Sequence, residues 1–124
     1  MNPKRFWFTT LLLLFFIRTN SPYQLAGALR IDQTDKHEYT DNYYCMHFAF
    51  DLVANLTAQG WRAGYAEVKM SSGLGHAFVW VETDSGLMYV EPQSDAFYNP
   101  PVEGGRLCTI DGCLDGNILY YEGE

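Results

Sequence analysis

HAFVWVETDSGLMYVE, residues 76–91, decides the fold. Two runs rich in Val, Phe, Trp and Tyr flank Asp84, Ser85 and Gly86, which predicts a β-hairpin over 76–83 and 87–91. Pro92 ends the second strand because it has no N–H for a sheet ladder. A four-residue turn from Thr83 to Gly86 pairs Glu82 with Leu87, sets Phe78 opposite Glu91 and places His76 diagonally across from Glu91 on the same face. Diagonal neighbours lie ~7–8 Å apart at the backbone, within reach of a carboxylate and an imidazole. A one-residue slip would put the two on opposite faces.

Upstream, NYYCMHFAFDLVANLTAQ (42–59) precedes Gly60. Cys45, Phe48, Ala49, Leu52, Val53 and Leu56 fall at helical spacing, so they share one face of a predicted helix that a glycine closes and Thr40 or Asp41 caps. Cys45 then lies in the first turn and points toward the core. Residues 61–70 read as a strand despite Gly64, 71–75 as a flexible loop and 96–106 as a loop. The turn pairs Asp111-Gly112 and Asp115-Gly116 break the remainder into short strands ending near Tyr121, whereas residues 29–40 show no period and read as an irregular lead-in. One helix followed by four or five strands implies an α+β domain, with the helix packed on an antiparallel sheet.

The first 28 residues are set apart from this domain, which is expected to occupy 29–124. Lys4 and Arg5 precede the apolar run 6–17, the n-region and h-region of a secretory signal. The run is too short for an ordinary span of ~20 apolar residues. Ala26-Gly27-Ala28 offers a small-x-small cleavage pattern, yet Arg18 directly follows the run. Two readings stand: a cut signal that exports the domain, or an uncut membrane anchor. Removing 1–28 takes away Lys4, Arg5 and Arg18 and no acid, so the net charge of −7 falls by three to −10. Such a surface repels a phosphate backbone and excludes nucleic acid as a partner. A monomer is expected.

Cys108 and Cys113 enclose a four-residue turn containing Asp111-Gly112, which brings them together either as a disulfide in an oxidising compartment or as two reduced hairpin residues. Cys45 is then the unpaired thiol of an exported protein. A thiol is nucleophilic as the thiolate, which a helix N-terminus or a neighbouring imidazolium favours, and a carboxylate orients that imidazole. Cys45, His76 and Glu91 supply all three devices. A helix crossing the His76 face with its N-terminus toward that residue brings thiol to imidazole. Cys45 would attack a carbonyl, His76 would shuttle the proton, and Glu91 would hold the imidazole tautomer. The Cys45 backbone N–H is the expected oxyanion donor; Tyr43, Tyr44 and Gln33 are candidates for the second.

The order of these motifs, Tyr44-Cys45-Met46-His47-Phe48-Ala49, then Gly75-His76-Ala77-Phe78-Val79-Trp80-Val81-Glu82, then Tyr89-Val90-Glu91-Pro92, resembles the core of transglutaminase-like proteins, a branch of the papain-like cysteine fold. The resemblance covers about residues 40–95. It implies a helix-borne Cys45, His76 opening a strand and Glu91, in place of the commoner Asp, near the end of the next strand, with Asp95 as the reserve third member. It further implies peptidase, amidase or acyl-transfer chemistry on a peptide or protein, with a catalytically inactive module that binds a peptide or exported protein as the alternative.

No cofactor is expected. His37, His47 and His76 with three cysteines lack the paired spacing of a metal site. His47 falls around the helix from Cys45 and reads as a surface or packing residue. Asn55-Leu56-Thr57 is a glycosylation sequon within the predicted helix.

Overall fold

A computed structural model of the chain describes residues 20–123. The apolar run 6–17, expected as signal or anchor, lies outside them. The fold is α+β: two helices and a five-stranded antiparallel sheet, with a separate two-stranded ribbon. No helix among the described residues is long and apolar enough to cross a membrane.

Helix α1, Pro22–Ile31, is capped by Ser21. The Gln24 N–H donates to Ser21 Oγ and the Ser21 N–H donates to Gln24 Oε1, each at 3.1 Å, while Pro22 occupies a position where its missing N–H costs nothing. Leu25 and Leu29 are fully buried. This corrects one expectation: residues 29–40 are not wholly irregular, since they hold the end of α1 and a 3-10 turn at Thr34–Lys36. The expected boundary at 28/29 falls within α1, whose Leu25 and Leu29 pack on the core.

Helix α2, Cys45–Ala58, starts later than the sequence suggests. Thr40 does not cap it: Thr40 Oγ1 accepts the N–H groups of Asn42 and Tyr43, which closes a local turn instead. The helix ends as expected at Gly60, whose φ of 93° lets the Trp61 N–H reach the Leu56 carbonyl at 3.0 Å. Asn55 of the sequon is engaged, donating to Asp32 Oδ1 and Thr34 Oγ1 and tying α2 to the 3-10 turn.

Strands β1 (Ala63–Met70), β2 (Gly75–Thr83), β3 (Gly86–Val90), β4 (Phe97–Tyr98) and β7 (Ile118–Glu122) form the sheet in the order β4-β3-β2-β1-β7. The β2–β3 register pairs Glu82 with Leu87, as the turn chemistry requires. Gly64 is tolerated in β1 because the Trp80 indole lies over it; a Cβ there would come within 2.5 Å of the ring. Segment 96–106, expected to be loop, contributes β4, which pairs Tyr98 with Tyr89. Strands β5 (Cys108–Thr109) and β6 (Gly112–Cys113) make the ribbon, closed by a Cys108–Cys113 disulfide.

Strand alternation splits the core in two. Ala77, Val79, Val81 and Val90 pack against Leu25, Leu29, Leu52 and Leu56 of the helices. Ala66, Val68, Phe78, Tyr89 and Tyr98 form the cluster on the other face with Ile118.

Candidate active site

His76 is the second residue of β2, and Glu91 directly follows β3. The pairing of Val79 with Val90, continued by one step, sets Phe78 beside Glu91 and His76 across from it. His76 Nε2 lies 2.5 Å from Glu91 Oε2, with both side chains 11% exposed. Tyr98, which the sequence did not single out, donates its hydroxyl to the same Oε2 at 2.5 Å, and the Gln93 N–H donates to Oε1 at 3.1 Å. Glu91 is thereby held from three directions.

Burial is the largest single influence on the Glu91 carboxyl and works to raise it. The hydrogen bond and charge of His76, the Tyr98 hydroxyl and the Gln93 N–H together outweigh burial and hold the group below the usual carboxylate range. Burial first, and then the Glu91 carboxylate, push the Tyr98 phenol up, so it remains a donor at neutral pH. An ionised Glu91 can only accept, so His76 Nε2 carries the proton between them and Nδ1 is the ring nitrogen left for other chemistry.

Asp95 takes no part in this arrangement. Its N–H donates to the Glu91 carbonyl at 2.8 Å, but its carboxyl turns to Asp35 in the 3-10 turn. Two oxygens there, Asp35 Oδ1 and Asp95 Oδ1, are buried without a donor. Burial first, and then the charges of Asp35 and Asp32, raise Asp95 to about 7 against a small opposing effect of Lys36. The third position beside His76 is thus filled by Glu91, because the diagonal register reaches it directly while Asp95 lies beyond the turn.

Cys45 is half-buried and unpaired. As the first residue of α2 it sits where N–H groups lack intrahelical partners. Cys45 and His76 line one cavity of about 330 Å³ with Tyr44, Met46 and Ala77. The route by which they meet differs from expectation. Helix α2 packs on the Val79 and Val81 face, whereas His76 follows the alternation of Phe78 on the opposite face. Cys45 at the head of α2 and His76, paired with Val68 of β1, nevertheless line the same cavity. Among the described residues the thiol has no hydrogen-bond partner.

Of the candidates for a second oxyanion donor, Tyr44 lines the cavity. Tyr43 donates its hydroxyl to Asp51 Oδ2 at 2.6 Å, and Gln33 donates to the Ile31 carbonyl. His47 serves α2 itself, its Nδ1 accepting the Tyr44 N–H at 3.2 Å. No group of three or more His, Cys, Asp or Glu among the described residues is placed to hold a metal ion. No family model, curated protein or solved structure matches the chain.

Proposed function

We propose that the protein is a thiol hydrolase or acyltransferase acting on a peptide or amide bond, with a transglutaminase-like, papain-like core. The observation that carries this reading is that a Glu91-oriented His76 and a helix-leading Cys45 line one cavity. Cys45 Sγ attacks the carbonyl carbon, His76 Nδ1 takes the thiol proton and passes it to the leaving nitrogen, and Glu91 stabilises the imidazolium. The Cys45 N–H faces the developing oxyanion from the first helical turn. The Cys108–Cys113 disulfide is consistent with an oxidising, extracytoplasmic compartment, and export by the N-terminal run belongs to the same proposal. Cleavage before Ser21 keeps α1 whole, and retention of 6–17 leaves the domain anchored.

The test is turnover of a peptide amide together with iodoacetamide labelling at neutral pH. Cys45→Ala abolishes both, His76→Ala slows labelling and lowers turnover about a hundredfold or more, and Glu91→Gln does so less. Turnover retained in Cys45→Ala would sink the assignment. A second reading, an inactive module of the same fold that binds a peptide, draws on the absence of a hydrogen bond at the thiol. It predicts labelling indifferent to His76→Ala.

A further inference from the structure

His76 lines both the cavity that holds Cys45 and a second one on its other side. The thiol-side cavity is walled by Tyr44, Met46, Val68, Ala77 and Tyr120. Glu67 and Lys69 also reach it, and their opposite charges offset each other on one strand. The second cavity, about 350 Å³, lies between the Glu91 turn and the disulfide ribbon and is walled by Gln93, Ser94, Tyr98, Thr109 and Asp111. Its acidic groups are Glu91 and Asp111, and neither Lys nor Arg lines it. Glu91 is occupied by His76 and Tyr98. The Asp111 side chain is exposed and has no hydrogen-bond or ion-pair partner among the described residues.

The chemistry gives the two cavities an order. A thiol that attacks a carbonyl keeps the acyl part beside itself, and the imidazole must reach the nitrogen that leaves. The leaving nitrogen therefore stands at His76 Nδ1, and the chain that follows it runs past the imidazole into the cavity beneath the ribbon. We propose that the site takes an extended peptide whose apolar residue supplies the attacked carbonyl in the Cys45 cavity and whose following Lys or Arg lies against Asp111. The inference rests on the thiol reading given above. In the reaction the Sγ–C bond forms and the C–N bond breaks, the thiol proton passes through His76 to the leaving amine, and water then hydrolyses the thioester and restores the thiol.

The experiment uses the Cys45→Ala protein and short fluorescent peptides that differ only at the two central residues: Leu-Lys, Lys-Leu and Leu-Glu. Fluorescence anisotropy is expected to show tightest binding of the Leu-Lys peptide. Asp111→Asn is expected to weaken that peptide about two- to fivefold, the range of an exposed charge pair, and to leave the Leu-Glu peptide no weaker. The preference should shrink in high salt. Equal binding of all three, preference for Leu-Glu, or no binding would overturn the proposal. Labelling of the unmodified protein separates the two layers: Cys45 labelling that depends on His76, with peptides that bind alike, removes only the substrate assignment. Labelling indifferent to His76 removes the thiol reading itself.

Discussion

The two faces of the sheet are made of different chemistry although the same strands supply both. Under the helices the contacts are aliphatic, with Ala77, Val79, Val81 and Val90 against Leu25, Leu29, Leu52 and Leu56. On the other face the rings of Phe78, Tyr89, Tyr98 and Tyr121 pack edge to face, tilted or stacked, and the Tyr98 hydroxyl ends on Glu91. Aliphatic burial stabilises without direction, whereas a tyrosine fills volume and also aims a donor. Alternate residues of β2 thus divide the work: Val79 and Val81 hold the helices, while His76 and Phe78 belong to the site and its support.

The largest expected effect lies on the aliphatic face. A chain beginning at Leu29 loses the Ser21 cap and the buried Leu25, and is expected to be less stable than one beginning at Asn20 by about 4 kcal/mol or more, read from urea denaturation. Equal midpoints would remove α1 from the account. Leu52→Ala, a fully buried position, should cost about 3 kcal/mol and leave the titration of Glu91 unchanged by carboxyl NMR.

Tyr98→Phe sharpens the contrast from the other side. Loss of one hydrogen bond is expected to cost about 1 kcal/mol, while the Glu91 carboxyl moves up because a donor to its charged form is gone. A variant that lost stability as Leu52→Ala does, with Glu91 titrating as before, would break the division between the faces.

The smallest effect concerns the turn where Glu91 and Asp95 part. Glu91 is held charged by a cation and donors; its contribution to stability is present above the ordinary value of 4.5 and is lost as pH falls through its lower folded value. Asp95 is held protonated by burial first and then by its carboxyl neighbours; its contribution is complete below the ordinary 3.8 and is lost as pH rises through about 7. Asp95→Asn should flatten the decline in stability between those two values and leave the acid limb intact. Thermal melts across that range read the difference, and an unchanged slope would show that the Asp35–Asp95 proton does not exist.

Several of these features were legible in the chain. The turn at Asp84 and Ser85 and the strands beside it fixed the β2–β3 register, and with it the His76–Glu91 contact, because hairpin pairing is set by adjacent residues. The α2 face and its Gly60 end followed from helical spacing. Helix α1 was missed because Leu25 and Leu29 alone carry its buried stripe and lie beside a segment with the traits of a signal. Its Ser21, Pro22 and Gln24 were the signal that could have found it. Tyr98 was missed because Asn99, Pro100 and Pro101 give its surroundings the composition of a loop.

The amino-acid sequence by itself determined the hairpin, its register, the helix behind Cys45 and the closeness of Cys108 to Cys113, all of which depend on neighbours along the chain. Tertiary structure decided which face α2 covers, that Cys45 and His76 line one cavity, that Tyr98 rather than Asp95 completes the surroundings of Glu91, and that Asp95 faces Asp35. Those choices depend on which buried surfaces fit one another across long loops. Alternation along a strand specifies two sides without saying which of them a helix will cover.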